Sequence, residues 1–297
     1  MNNLKLNTKM AGKDAVISCM NVRRLKDKLA QLGLPLGLAI LSLITLFPIL
    51  WVACSSFKPQ SELFTVPMTL LPHTFTLENY VDSLSHGNFP LYFCNTLFVS
   101  VVSTIITVLI NIMAGYALAK YVFPMRNIIF TVMIATLMIP LQVIMIPIFL
   151  QLKSFGLLNN LWGIIIPPAA TPTGVFLARQ YLVTIPDSMI EAARIDGSGE
   201  WFIFRKIIMP LSKPIVATIA IFSFMWRWND YLWPLIVISK NDKQTIQQAL
   251  ATFVGQLQIN WSNLLAMTTI TIIPVIIVFF AFQKFFMQGI TAGAVKG

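Results

Sequence analysis

Charged residues punctuate this chain, and the stretches between them are long and apolar. Six such stretches predict helices at about 33–54, 92–119, 128–151, 160–178, 214–238 and 263–283. Each is long enough to cross a ~30 Å hydrocarbon core as a helix of about 20 residues. The expected fold is an all-α integral membrane protein with six transmembrane helices spread over residues 31–290. Residues 1–30 form a basic tail before them, and 291–297 a short tail after them.

One connection breaks the pattern. Between the fourth and fifth apolar runs lies a charged, helix-forming segment, Glu191 to Pro214, within a connection covering 186–212. Pro186-Asp187 can open a first helix, since proline suits the first turn and the acids Asp187 and Glu191 suit its positive end. Met189, Ile190, Ala193 and Ile195 supply an apolar side, while Ala192 and Ala193 leave a flat surface that a partner can approach. Gly197-Ser198-Gly199 permits a sharp turn. A second helix, Trp201 to Ile208, mixes aromatics with Arg205 and Lys206, and Pro210 and Pro214 separate it from the fifth span. On these residues alone, the loop suits either an interfacial pair of helices resting on lipid headgroups or a docking element.

Composition agrees with a membrane protein. Of 297 residues, 57% are hydrophobic and 11% charged, with a mean hydropathy of +0.76, against about 25% charged in soluble domains. The net charge of +10 reads as positive-inside topology rather than as a nucleic-acid partner. With the N-terminus inside, sixteen of the 21 Lys and Arg fall on the cytoplasmic side. The opposite side receives Lys58, Lys153, Lys240 and Lys243, and Arg227 lies within a span. Both termini and the 186–212 loop are therefore expected to face the cytoplasm.

Other candidate chemistry is sparse. Cys19, Cys54 and Cys94 have no metal-ligand spacing, and His73 and His86 sit in a polar loop without a catalytic pattern. The apolar piece 15–20 is shorter than the 7–15 residues of a signal-peptide core, so the basic tail is expected to stay. Pro140, Pro147, Pro167, Pro168, Pro172 and Pro274 fall inside the predicted spans; they fit either bundle packing or kinks that line a pathway.

Arg227 and Asp230, three apart in the fifth span, can pair. They lie about 20–24 Å beyond Pro214 at 1.5 Å per residue. Ionisable groups in a span are functional candidates by default. With Trp226, Trp228, Asn229, Tyr231 and Trp233 around them, two readings compete: a pathway wall offering aromatic faces and hydrogen bonds to sugar rings, or an aromatic belt with a helix-locking ion pair. A proton-coupling role for Asp230 is a third.

The run Glu191-Ala192-Ala193, Asp196-Gly197, Phe204, Ile207, Pro210-Leu211 and Pro214 resembles the EAA loop of permease subunits in bacterial binding-protein-dependent ABC importers. WNDYLWPL (228–235) and QGITAGAVKG (288–297) resemble the carbohydrate branch, in particular the second of its two permeases, the maltose-permease G-like type; the likeness runs from about residue 30 to the C-terminus. The resemblance implies a type I ABC importer permease fold with a cytoplasmic coupling helix, a multi-pass place in the inner membrane, and no enzymatic activity on this chain. It implies docking of an ATPase by Glu191, Ala192, Ala193, Asp196 and Gly197, and half of a pathway lined by Arg227, Trp228, Asn229, Asp230 and Tyr231.

The implied partners are a second permease, two cytoplasmic ATPase subunits, an extracytoplasmic solute-binding protein and membrane lipid. The implied cargo is a sugar or oligosaccharide, with glycerol 3-phosphate or another sugar phosphate as the alternative. No G-x-x-x-x-G-K-[ST] loop occurs here, so ATP and magnesium would be used by the partner. A secondary transporter would need an inverted repeat or a midplane ion site, and an embedded enzyme a cluster of catalytic groups; the sequence offers neither.

Overall fold

The protein is described by a computed structural model covering residues 33–85, 88–255 and 258–294, with side chains to 284. The basic tail, Cys19, His86 and the last three residues lie outside the described residues. In chain order the helices are α1 (Gly33–Ser55), α2 (Gln60–Leu63), α3 (Glu78–Ser85), α4 (Phe89–Lys120), α5 (Arg126–Ala135), α6 (Leu141–Ser154), α7 (Trp162–Ile165) and α8 (Pro172–Leu182). They continue as α9 (Asp187–Ile195), α10 (Glu200–Ile203), α11 (Met209–Leu211), α12 (Lys213–Trp228), α13 (Leu232–Val237), α14 (Ile246–Val254) and α15 (Trp261–Ala294). Among the described residues there is no strand.

The first, second and sixth predicted spans are continuous helices: α1, α4 and the apolar part of α15. The other three are broken. The third predicted span is α5, a 3-10 turn (Thr136–Met138) and α6, bent by 105° at Ile139-Pro140. Ile139 is extended, the conformation favoured before proline. The fourth is α7, an irregular stretch over 166–171, and α8, so no single helix of crossing length forms there. The fifth is α12 and α13, separated at Asn229 to Tyr231. By length and composition, three described helices can cross a membrane, or up to five if each bent pair counts as one. The prolines divide accordingly. Pro140, Pro167 and Pro168 sit at breaks, and Pro172 opens α8. Pro147 and Pro274 are carried inside helices.

Broken helices free backbone groups that must find partners in an apolar setting. Neighbouring side chains supply them here. Thr107 donates to the Pro168 carbonyl at 3.3 Å, Trp233 Nε1 to Gly163 at 3.2 Å, and Gln248 Nε2 to Pro234 and Ile238 at 3.3 and 3.2 Å. The breaks are thus integral to the fold.

At the centre α4 packs against α8 and α12, and α12 packs against α15. α4 turns a polar face inward, with Asn95, Thr96, Ser100, Ser103, Thr107 and Asn111 all buried, as helices in lipid do with their polar residues. An apolar core of Ile112, Leu182, Ile190, Ile203 and Ile208 joins α4 and α8 to the loop helices. A second core, around Ile164, Ile165, Trp233 and Val237, seats the broken spans. By contrast α1 is exposed over residues 33–50.

Candidate functional site

The 186–212 connection folds as two short helices hinged at a turn. Pro186 precedes α9 in an extended conformation and Asp187 sits in its first turn. α9 closes with a Schellman motif: Ser198 N–H donates to Ala193 and Gly197 N–H to Arg194, both at 3.0 Å. Gly197 has φ +77° with open space around it, so the position requires glycine for its backbone rather than for room. The second helix is longer than the sequence implies. α10, a π turn (Phe204–Ile208) and α11 run together to Leu211, and a 79° bend at Ser212 leads into α12.

α9 has two faces. Ile190 and Ala193 are buried in the core beneath the loop, whereas Glu191, Ala192, Asp196 and Gly197 are exposed. Ala193 therefore departs from the other docking candidates: it packs inward because it falls one turn from Ile190, and it seats the helix. Ile195 also differs from expectation, since it is 86% exposed rather than part of the apolar inner side. Trp201 and Phe202 on α10 are exposed too, with Trp201 stacked on Phe204 at 5.6 Å between centroids.

Two residues that the sequence does not mark as loop anchors hold this loop, and both stand at the end of α4; Lys120 reads in sequence only as a cytoplasmic charge. Lys120, with a side chain 4% exposed, pairs with Asp187 at 2.7 Å and donates to the Ile185 carbonyl. Tyr121 donates its hydroxyl to Glu200 of α10, which also accepts from Arg194 Nε of α9 at 2.7 Å. The Arg194 hydrogen bond, followed by that of Tyr121, holds the Glu200 carboxyl below its usual value. Burial, then the bond to Glu200, pushes the Tyr121 phenol up. Neither Lys120 nor Tyr121 is marked as an anchor in sequence, because their partners lie 65 or more residues away.

The second candidate region is a cavity of about 470 Å³ lined by Leu141, Ile144 and Ile148 of α6, by Pro167, Pro168 and 170–172, and by Trp226, Arg227, Asp230 and Trp233. All three broken spans converge on it. A smaller cavity of about 100 Å³ adjoins it, sharing Thr171, Trp226 and Arg227 and adding Thr107 and Ser223. Arg227 and Asp230 stand 3.6 Å apart. The pairing is not along a helix, because α12 ends at Trp228, and Asp230 in the break accepts from Trp233 N–H at 3.3 Å.

Asn111 of α4 shapes the wall opposite. Its Nδ2 donates to Thr171 Oγ1 at 2.9 Å and its Oδ1 accepts from Thr171 N–H at 3.1 Å. Gly174 allows this approach, since a Cβ there would lie 2.1 Å from Asn111 Nδ2.

Of the five pathway residues expected, Arg227 and Asp230 line the cavity. Trp228 does not: it is wholly buried, stacked on Phe224, and donates Nε1 to the Thr271 carbonyl at 3.0 Å. Asn229 is exposed and bonds back to Met225 at 2.9 Å, and Tyr231 lines a separate hollow with Leu235 and Gln244. The helix break after Trp228 rotates these side chains away from one another. Trp226, 52% exposed, and Trp233 take the wall positions instead. His73 donates its backbone N–H to Glu62 at 2.7 Å, and no metal-holding group of residues occurs among the described ones.

The family described as the binding-protein-dependent transport system inner membrane component matches residues 111–292. The chain is 38% identical to an arabinooligosaccharides transport system permease protein of Halalkalibacterium halodurans, covering 89% of this chain and 96% of that one. It is 34% identical to a diacetylchitobiose uptake system permease protein of Streptomyces coelicolor (87% of each chain), and 33% identical to an sn-glycerol-3-phosphate transport system permease protein of Salmonella typhi (86% and 92%). Among solved structures, a chain of a bacterial ABC transporter involved in the import of the acidic polysaccharide alginate superposes with a TM-score of 0.79 at 28% identity. That match covers 88% of this chain and 98% of the other.

Proposed function

Because this chain belongs to the family of binding-protein-dependent transport system inner membrane components, and is a membrane permease of the carbohydrate ABC importers rather than an enzyme, we propose that it forms half of a sugar pathway driven through its 186–212 loop. The loop faces the cytoplasm with both termini and docks on one of two ATPase subunits, which bind the ATP and magnesium. Glu191, Ala192, Asp196 and Gly197 form the contact, Ala193 seats the helix, and Ile195 and Trp201 extend it with apolar area. A solute-binding protein delivers cargo on the other side.

The observation that carries this reading is the exposed strip of loop residues on a helix whose opposite face is anchored in the core. A free amphipathic helix on lipid would turn its apolar side outward. Here the strip facing out is short and mixed, which suits a protein groove.

An oligosaccharide is the cargo that the cavity favours. Trp226 and Trp233 offer aromatic faces, and Asp230 neutralises Arg227 at 3.6 Å. A neutral sugar can bond to both members of such a pair, whereas a phosphate would have to compete with Asp230 for Arg227. Sugar phosphates, named for one relative, are the second reading.

The test is assembly. Ala192→Trp is expected to leave the chain inserted while the ATPase no longer co-purifies and uptake stops. Normal co-purification and uptake would overturn the docking. Calorimetric titration of the cognate binding protein with arabinotriose and glycerol 3-phosphate decides between the cargo classes.

A further inference from the structure

α4 is 32 residues long, about 48 Å at 1.5 Å per residue, and polar side chains hold it at three levels. At the loop end Lys120 and Tyr121 bind α9 and α10, as described. Midway Thr107 bonds Pro168 and Asn111 bonds Thr171 on the cavity wall. At the far end Tyr92 donates to Asn241 at 2.7 Å, Asn95 Nδ2 donates to the carbonyls of Asp242 and Gln244 at 3.1 and 3.0 Å, and Thr96 accepts from Ile246 N–H at 2.8 Å.

The alternative routes out of the loop are poorer. α12 is the direct chain continuation, but a 79° bend at Ser212 precedes it and the break at Asn229 follows it. A pull along such a path is absorbed at the bends. α8 is 11 residues long and is capped by Thr171, which α4 itself holds. α15, the other long helix, packs chiefly on α12 and α3. An unbroken helix resists axial strain because each turn is hydrogen-bonded to the next.

We propose that α4 is the rod that carries displacement of the loop to the cavity wall and to the 241–246 segment, with Lys120 and Tyr121 as the positioning residues that make loop and rod move together. The two attachments are complementary. Lys120 holds the start of α9, and Tyr121 holds Glu200 and, through it, Arg194, on both sides of the Gly197 turn. The two loop helices and the end of α4 thus form one body. The inference rests on the reading of the loop as ATPase-driven.

The test uses the whole transporter, with both permeases and the ATPase, in nanodiscs. The reporter is Ile144→Cys in a chain whose own cysteines are replaced, labelled with N-ethylmaleimide with and without ATP, magnesium and vanadate. Lys120→Met with Tyr121→Phe is expected to shrink the nucleotide-dependent change in labelling rate by about five- to tenfold, in the usual range of coupling between sites. ATPase co-purification and ATP hydrolysis should be retained. An undiminished labelling change in that variant overturns the rod.

Failure of the underlying reading looks different: Ala192→Trp would then keep its ATPase and its labelling change. If the double variant fails to assemble, Tyr121→Phe alone removes one oxygen and is expected to give a smaller loss of the same kind. An unchanged response there also overturns the proposal.

Discussion

Gly197 is the residue on which the loop turns. Its left-handed backbone is unfavourable for any side chain, yet no neighbour crowds it. Gly197→Ala is therefore expected to cost about 1 kcal/mol locally, read as faster amide exchange across 187–211 with assembly retained. Glu200 gives the loop a pH dependence. Its carboxyl is held below 4.5 by Arg194 and Tyr121, so its contribution is present above the ordinary carboxylate value and is lost as pH falls through the lower folded value. Exposure keeps that contribution small, and amide exchange of the loop should report it where global melting does not. Glu200→Gln is expected to remove the dependence. The charged motif residues and Gly197 were legible in sequence because their spacing is local. Trp228 and Tyr231 lie outside the cavity lining, Trp228 because the last turn of α12 buries it against Thr271 and Tyr231 because it follows the break.

At the scale of elements, the breaks matter more than the helices. Apolar runs 128–151, 160–178 and 214–238 read as crossings of uniform kind, yet each is interrupted and the interruptions meet at one cavity. Prolines marked two of these sites. The third, at Asn229, has no proline; there Asp230 accepts from Trp233 N–H near the start of α13. Because Arg227 is largely buried beside Asp230, Asp230→Asn alone is expected to destabilise more than Asp230→Asn joined with Arg227→Met. Leaving one charge buried without its partner costs about 3–5 kcal/mol. Thermal unfolding in detergent, followed by tryptophan emission, measures the order. Gly174→Ala should likewise lower the melting temperature, since Asn111 must leave Thr171 to make room.

At the scale of the molecule, α1 is the informative element. Its residues 33–50 are exposed, and in an assembled importer that surface must be covered by lipid or by a partner chain. On the function proposed above, the second permease covers it. Expressed alone, the chain is expected to be extracted in poor yield and to aggregate. Co-expression with its neighbouring permease should give a heterodimer by native mass spectrometry. A stable monodisperse monomer would argue against this.

What the sequence determined by itself was the membrane class, the six apolar runs and the loop motif, with the family they resemble. These rest on composition and on residues within one turn of each other, which short-range physics governs. Tertiary structure alone decided that the fifth run breaks at Asn229, which aromatics face the cavity, and that Lys120 and Tyr121 hold a loop more than sixty residues away. Such choices follow from satisfying freed backbone groups and buried charge with whatever packing brings near, and packing is not written in any local window.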